Sequence, residues 1–327
     1  MRDRQKSMAK RIGKSLLFSI VALVAIFVVN FFLPRLMPGD PLGNLIGADE
    51  RVMTKEEYDA LYHEMGLDLP LGKQFKNYVS ALFRGDWGYS YHRGADVGSI
   101  IVKNIPRTLQ ITLPAWILSA VLACWLGLVA GNAKSRVKDI GITGGMMLAD
   151  AIPTFLLAIL FLILFAFEWQ VLPSGGLNSP FAKNTFADRL LHLILPVATL
   201  TIVSTPKKYL LVRNQSANIQ DEPYMTYARA KGLNNARLEG VHAFPNISSA
   251  FISMLGTSFG HMIAGSIIIE KVFSIDGVGM LVNRAINDKD FPMLQGALLV
   301  IALSVIVSNF IADAIAVLSD PRQRRAA

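Results

Sequence analysis

Few side chains in this sequence have the type and spacing that catalysis or metal binding requires. A metalloprotease helix carries two histidines four residues apart with an acid between them. The five histidines do not show that spacing: His63, His92, His192, His242 and His261. The single cysteine, Cys124, excludes an intrachain disulfide and disfavours metal-thiolate chemistry. We therefore predict that the chain is not an enzyme and binds no metal.

A fragment of a phosphate-binding loop occurs near the start of the chain. Gly13-Lys14-Ser15 matches the end of the loop that cradles nucleotide phosphates. The full motif needs a glycine five residues before Gly13, where this chain has Met8, and a preceding β-strand, which a charged tail cannot supply. We therefore predict that this chain binds no nucleotide or other cofactor, and that any ATP used in its function is bound by another chain.

Two acids, Asp150 and Asp313, lie in or at the edge of long uncharged stretches. Asp150 is eleven residues beyond Asp139, which is about 16 Å along a helix. If Asp139 marks a membrane surface, an unpaired carboxylate at that depth costs several kcal/mol. Three alternatives remain open. Asp150 accepts hydrogen bonds from a serine or threonine of a neighbouring helix, lines a path through the protein, or lies near the surface because its helix begins later. We expect one of the first two.

The elements that position these residues are long helices without charges. Apolar residues make up 52% of the 327 residues and charged residues only 17%, against a usual quarter. A bilayer core needs roughly 20 helical residues. Six stretches are candidates, the third broken only by Asp150 and the fourth marginal at 17 uncharged residues. They are bounded by Lys14 and Arg35, Arg107 and Lys134, Asp139 and Glu168, Arg189 and Lys207, Glu239 and Glu270, and Asp290 and Asp313. The sequence therefore predicts an all-α polytopic membrane protein with six spans.

The first stretch has an alternative interpretation as a signal peptide. Its downstream flank, Asn30-Phe31-Phe32-Leu33-Pro34-Arg35, is bulky where a signal peptidase requires small residues, and its apolar run is too long for the apolar region of a signal peptide. We interpret it as an uncleaved first span.

The net charge of +8 is an orientation signal rather than a nucleic-acid patch. With the N-terminus inside, the inside segments carry 18 Lys+Arg and 6 Asp+Glu, whereas the outside segments carry 14 and 16. Basic residues concentrate on the cytoplasmic side of membrane proteins. The resulting organisation is a cytoplasmic tail at 1–14, a first span at 15–34, an extracytoplasmic segment at 35–106, a core of five spans at 107–319 (107–133, 140–167, 190–206, 246–270 and 291–317) and a cytoplasmic tail at 320–327.

Local patterns predict further details. Thr54 and Glu57 have the spacing of a capping box at a helix start, and residues 74–83 have an apolar helical face suited to a membrane surface. Small residues spaced by four permit close helix packing, within the chain or against a second subunit. They occur at Gly127 and Gly131, Gly141 and Gly145, and Gly256 and Gly260.

The longest inside segment, 207–245, contains a loop at 213–245 with two predicted short helices. Asp221 and Glu222 precede Pro223, which favours a helix start, and Gly232 suits the C-terminal cap of a helix from Tyr224 to Lys231. A second short helix is predicted over residues 234–242. Such a corner is either a solvated connection or a docking site for a soluble partner.

This loop resembles the coupling segment of ABC importer permeases, which reads Glu-Ala-Ala, three residues, Gly, nine residues, then Ile-x-Leu-Pro. Gly232 and Pro245 have that spacing, and residues 228–233, Ala-Arg-Ala-Lys-Gly-Leu, are similar to the oligopeptide/dipeptide branch. The departures from the general motif are Thr226, Tyr227, His242 and Phe244 at its Glu, Ala, Ile and Leu positions.

Similarity to this branch extends along nearly the whole chain. The matching segments occur in the family's order: residues 37–41, 65–71, 83–88, 152–155, 270–273, 277–279 and 319–322. One departure is Asp276, where the family usually has proline.

The resemblance implies the type I ABC importer permease fold in a bacterial or archaeal inner membrane. It also implies the partners: a homologous second permease, two ABC ATPases that hold ATP and Mg²⁺, and an extracytoplasmic substrate-binding protein. The residues expected to couple to the ATPases are Tyr227, Ala228, Arg229, Ala230, Lys231, Gly232 and Pro245, and Asp150 is a candidate for the translocation path.

The expected cargo is a di- or oligopeptide, because that is what this branch typically carries. Relatives move nickel chelates, glutathione or sugars, so these cargoes remain alternatives. A secondary transporter would prefer paired intramembrane charges and two related halves, and an intramembrane enzyme would need a nucleophile–base pair or metal ligands on facing helices; the sequence favours neither.

Overall fold

The computed structural model describes residues 2–36, 42–43, 54–133, 135–179, 185–220, 222–234 and 237–319, and this part of the chain is almost entirely helical. Its helices are α1 Arg2–Leu36, α2 Lys55–Glu64, α3 Leu71–Phe83, α4 Val97–Gly131, α5 Arg136–Ala151, α6 Thr154–Phe161, α7 Phe186–Gln220, α8 Pro223–Ala230, α9 Phe244–Val272, α10 Val278–Asn287 and α11 Phe291–Ser319. Two π-helical segments, Leu162–Glu168 and Leu238–Ala243, extend α6 and precede α9.

The six predicted spans all have helical counterparts, which confirms the all-α polytopic fold. Among the described residues, five single helices are long and apolar enough to cross a membrane: Ile12–Leu36 of α1, α4, α7, α9 and Phe291–Ile315 of α11. The sixth counterpart is a pair, α5 with α6 and its π extension, bent by 96°.

The sharp bend corrects the prediction of a continuous helix over 140–167. Ile152 has an extended backbone, with φ −80° and ψ 121°, and Pro153 is the N-cap of α6. Proline disfavours helical geometry in the residue before it and cannot donate a backbone hydrogen bond. The chain therefore leaves the helix at Ile152 and starts a new one at Thr154.

Three helices, α1, α4 and α7, extend well beyond the predicted spans, and α1 already begins at Arg2. α4 begins at Val97, ten residues before the uncharged stretch, and α7 continues to Gln220, well beyond Pro206. A stretch without charged residues marks only the most apolar part of a helix. The backbone hydrogen bonding of α4 and α7 continues through the charged residues Lys103 and Arg213. The loop interpreted as beginning at residue 213 therefore begins inside α7.

The segment between α1 and α4 packs on the rest of the chain. Thr54 and Glu57 form the predicted capping box, and hydrogen bonds from Thr54 lower the pKa of Glu57. The helix predicted over residues 74–83 is α3, and it lies against α1, with the rings of Phe75 and Phe31 5.3 Å apart. A two-stranded antiparallel hairpin, β1 Tyr89–Ser90 and β2 Ala95–Asp96, follows, and the sequence did not predict it.

Two of the three glycine pairs form close helix contacts within the chain. A Cβ on Gly131 would lie 2.6 Å from the carbonyl oxygen of Arg213 in α7, and one on Gly260 would lie 2.7 Å from the Cα of Val305 in α11. Gly141 and Gly145 have no other group within 4 Å of a Cβ position among the described residues. Close packing therefore joins α4 to α7 and α9 to α11, and leaves the glycine face of α5 open.

Candidate functional site

A cavity of about 540 Å³ lies where the bent span meets α7 and α9. Its wall combines apolar residues with hydroxyl, cationic and acidic side chains; the polar ones are Asp150, Thr154, Ser204, Lys207, Lys208, Thr257, Ser258 and His261. The break at Ile152 and Pro153 is itself part of the wall. The bend therefore places the end of α5 and the start of α6 on the same cavity.

Two polar contacts set the register between α5 and α7. The carboxylate of Asp139 accepts hydrogen bonds from the guanidinium of Arg213, one with an N–O distance of 3.0 Å. Four residues further along α5, the hydroxyl of Thr143 lies 2.7 Å from that of Tyr209, which is four residues back along α7. Since both helices advance by the same number of residues, they run antiparallel in register at this level.

Asp150 lies on the cavity wall with an exposed side chain. Its carboxylate forms no hydrogen bond or ion pair with any residue in the described part of the chain. The serine or threonine partner of the structural alternative is therefore absent from the described residues.

Lys207 and Lys208 supply two cations to the same wall. Lys207 is exposed, whereas Lys208 is only 1% exposed, and the ammonium of Lys208 donates to the hydroxyl of Ser119 in α4 at 2.6 Å. No carboxylate of the described residues lies within 4 Å of either ammonium. Sequence reasoning missed both lysines, because it assigned them to the loop after the fourth span. Recognising that α7 continues past Pro206 would have placed them inside a helix.

The helical corner between α7 and α9, residues 222–234, is the second candidate site. Met225 and Ala228 on one face of α8 are buried against Val212, Ile247 and Phe251. The hydroxyl of Tyr224 accepts a hydrogen bond from Asn246 at 3.1 Å, and partial burial, with a smaller contribution from Glu222, raises the pKa of this hydroxyl. The corner is thus fixed to α7 and α9 by one face of α8.

The opposite face carries most of the residues that the resemblance assigned to coupling. Tyr227 is 73% exposed, and the side chains of Arg229, Ala230 and Lys231 are also exposed. Ala228 differs, because its side chain faces the interior of the chain and is only 5% exposed. Its side chain therefore anchors the corner to the helix bundle and is not part of the exposed face.

Gly232 and Pro245 flank the second half of the corner. Gly232 has φ +76°, which only glycine adopts readily, and no group lies within 4 Å of its Cβ position among the described residues. Pro245 is exposed in the first turn of α9. The second predicted helix, 234–242, is instead a π-helical segment, Leu238–Ala243, that runs directly into α9. The described residues contain no group of three potential metal ligands.

A bundle of membrane-spanning helices with a charged cavity at a broken span and an exposed helical corner defines a polytopic α-helical membrane protein. The chain belongs to the family described as the binding-protein-dependent transport system inner membrane component, which matches residues 123–325. The N-terminal family of the same transport-system membrane components matches residues 8–112. This membership confirms the resemblance to ABC importer permeases, and it makes the chain a transport subunit rather than an enzyme.

Relatives cover almost the full chain. A Brucella ovis protein described as a peptide permease is 30% identical over 308 residues, which is 94% of this chain and 96% of the relative. The di/tripeptide transport system permease protein DppB of Pseudomonas aeruginosa is 29% identical over 334 residues, which is 97% of this chain and 98% of the relative.

A solved structure supports the fold. The MetNI methionine ABC transporter in an inward-facing conformation has a chain that aligns with a TM-score of 0.55 and 14% identity, over 68% of this chain and 96% of that chain. At this identity the similarity shows the fold alone. Together the fold and the family establish a multi-pass inner membrane protein that works in an assembly with a permease partner, ATPases and a binding protein.

Proposed function

We propose that this chain forms half of the translocation path of an ATP-driven importer for short peptides. The observation that carries the proposal is the cavity between the broken span, α7 and α9, whose wall includes Asp150, Lys207 and Lys208, none of which forms an ion pair with a described residue. A peptide carries complementary charges at its two ends. The names of the two relatives, a peptide permease and a di/tripeptide permease, support the same cargo.

In this proposal the chain works with a homologous second permease, two ATPases that bind ATP and Mg²⁺, and a substrate-binding protein. Both termini lie in the cytoplasm, because that orientation places the basic excess of the chain inside. The corner between α7 and α9 then also faces the cytoplasm, where the ATPases are. This chain itself contributes conformational change, with the path open to one side at a time.

The exposed face of the corner is the proposed docking surface for an ATPase. Tyr227, Arg229, Ala230 and Lys231 provide its side chains, and Gly232 and Pro245 shape its end. The buried side chain of Ala228 contributes by anchoring the surface to the helix bundle. Because α8 packs against both α7 and α9, a push on this face is transmitted directly to two cavity-lining helices.

Asp150 is the proposed contact of the path for a cationic group. Its carboxylate is exposed to the cavity and has no partner among the described residues. A carboxylate inside a membrane protein is stabilised by water or by a countercharge, and the amino terminus of a peptide would provide that countercharge during passage.

The proposed function is tested by reconstituting the chain with its partner permease, ATPases and binding protein in liposomes. We expect uptake of a labelled tripeptide that requires ATP hydrolysis and the binding protein. Uptake of a nickel chelate or glutathione but not of peptides would reject the peptide cargo and retain the ATP-driven importer mechanism. Uptake by the permeases alone, driven by an ion gradient, would contradict the importer mechanism.

A further inference from the structure

The ammonium of Lys208 is exceptionally placed for a charged group. It is buried inside a membrane-spanning helix and its described polar partner is a neutral hydroxyl, that of Ser119 at 2.6 Å. A buried cation is normally paired with an anion, since one neutral hydrogen bond does not replace the lost hydration. Lys207 adds a second positive charge to the same wall. Within the described residues, this end of the cavity therefore contains no anion.

The opposite charge lies further along the cavity. Continuing the register of the Asp139–Arg213 and Thr143–Tyr209 contacts, Lys208 on α7 is level with residue 144 on α5. Asp150 lies six residues beyond that level, which is about 9 Å along the helix axis. The cavity is thus polarised, with its cationic end nearer the Asp139–Arg213 pair and its acidic end at the bend.

We propose that the cavity recognises short zwitterionic peptides through both termini, with Lys208, assisted by Lys207, receiving the free carboxylate while the amino terminus faces Asp150. The inference rests on the proposed function and adds to it a requirement for an unblocked C-terminus. An extended chain of two or three residues spans about 7–10 Å, which matches the axial separation of the two charged ends. A cavity of about 540 Å³ also lies within the usual size range for small-ligand sites.

The C-terminal carboxylate of a peptide is the group that would pair with the ammonium of Lys208. An ammonium donates to a carboxylate through a charge-assisted hydrogen bond, which is roughly twice as strong as a neutral one. A C-terminal amide keeps the size of the peptide but brings no negative charge. The cavity should therefore distinguish a peptide from its amide, whichever peptides the binding protein selects.

The test uses the assembled complex of both permeases and ATPases in nanodiscs, without the binding protein, so that only the membrane part selects. Labelled Ala-Ala-Ala is bound and then displaced by unlabelled Ala-Ala-Ala or by Ala-Ala-Ala-amide. We expect the free acid to displace at a concentration about tenfold lower than the amide, the ratio that one charge-assisted hydrogen bond provides. Equal displacement, or no displaceable binding, would overturn the proposal.

Substitutions test whether Lys208 causes the preference for the free acid over the amide. Lys208→Met should reduce the acid-to-amide ratio to about one, by loss of that hydrogen bond. Lys208→Arg should retain the ratio, because it keeps the charge. Lys103→Met is the matched control, since Lys103 is an exposed lysine outside the cavity. A preserved ratio in Lys208→Met would overturn the proposal.

A second variant covers the case in which Lys208→Met does not assemble. Ser119→Asp places a resident carboxylate beside the ammonium, so the complex should assemble and still lose its preference for the free acid. An unchanged preference in Ser119→Asp would also overturn the proposal. Uptake of Ala-Ala-Ala by the complete importer is measured in parallel. Normal uptake without any preference rejects only this inference, whereas absent uptake rejects the proposed function.

Discussion

The hydroxyl of Thr108 in α4 donates to the carboxylate of Glu270 in α9 at 2.7 Å, and it also accepts the backbone N–H of Val278 at 2.8 Å. The same carboxylate accepts the backbone N–H of Met280 at 2.9 Å. Glu270 thus closes the N-terminus of α10, where backbone donors lack helical partners and negative charge is favoured. A Cβ on Gly277 would lie 2.5 Å from the carboxylate, so a side chain at this position would displace Glu270 from its hydrogen bonds. Thr108 and Glu270 together join three helices.

The first prediction is that Glu270→Gln lowers the melting temperature of the detergent-solubilised complex. The glutamine side chain has an NH2 group in place of one carboxylate oxygen, so a donor faces the donors that Glu270 accepts from. Such an unsatisfied contact in a buried site lowers the free energy of unfolding by about 1–3 kcal/mol. Glu64→Gln, at an exposed glutamate, is the control and should melt like the wild type. Equal melting of the two variants would show that Glu270 does not hold α10 in place.

The glycine pairs provide a matched comparison of packing. Gly256→Val should destabilise the chain by about 1–3 kcal/mol or prevent its assembly, because a Cβ there would lie 2.9 Å from the Cα of Ala312. Gly145→Val should leave the stability of the isolated chain unchanged, since the space beyond it is open within the described residues. Thermal unfolding of the purified chain measures both variants. A stable Gly256→Val chain would contradict the close α9–α11 contact.

Substitutions of Gly232 should uncouple transport through backbone conformation rather than through steric contact. Gly232→Val must adopt φ +76° or shift the corner, and left-handed geometry costs an ordinary residue about 1–2 kcal/mol. Gly232→Asn is the control, because asparagine tolerates this region. We expect substrate-stimulated ATP hydrolysis to fall strongly in the valine variant and only slightly in the asparagine variant. Unchanged stimulation in the valine variant would remove this position from coupling.

Removing the charge of Asp150 should change cargo selection without preventing assembly. Asp150→Asn has no hydrogen bond to lose within the described residues. We expect it to transport N-acetylated tri-alanine as the wild type does, but to transport tri-alanine with a free amino terminus more slowly. Asp313→Asn is the control, because Asp313 instead accepts a hydrogen bond from Ser15 at 2.7 Å. Equal uptake of both peptides by the wild type and Asp150→Asn would remove Asp150 from the path.

The proposed orientation can be measured by labelling in whole cells. Cysteines replace Lys76, which is exposed on α3, and Arg325 in the C-terminal tail, in a chain whose Cys124 is changed to Ala. A reagent that cannot cross the membrane should modify the cysteine at Lys76 and not the one at Arg325. The reverse result, or equal modification, would reject cytoplasmic termini. Permeabilised cells, in which both should react, provide the control.

The sequence by itself determined the helical membrane class, the positions of the long apolar helices and the family. Long uncharged stretches commit a chain to membrane helices, because unpaired backbone groups cannot be left in lipid. Local chemistry also determined single features, such as the capping box at Thr54 and Glu57 and the left-handed Gly232. These features depend on a few neighbouring residues, so a linear pattern is enough to predict them. The segment at 37–41 and the tail from residue 320, which supported the resemblance, lie outside the described residues.

Tertiary structure alone decided where the polar groups of the spans meet. The 96° bend at Ile152 and Pro153 and the continuation of α7 past Pro206 bring Asp150 and Lys208 to one cavity, although they are 58 residues apart in sequence. Packing also placed Ala228 inside and Tyr227 outside the corner. Such placements depend on helix register and crossing, which result from contacts distant in sequence. A linear pattern records which residues are charged, but only the packed helices show which charges have a partner.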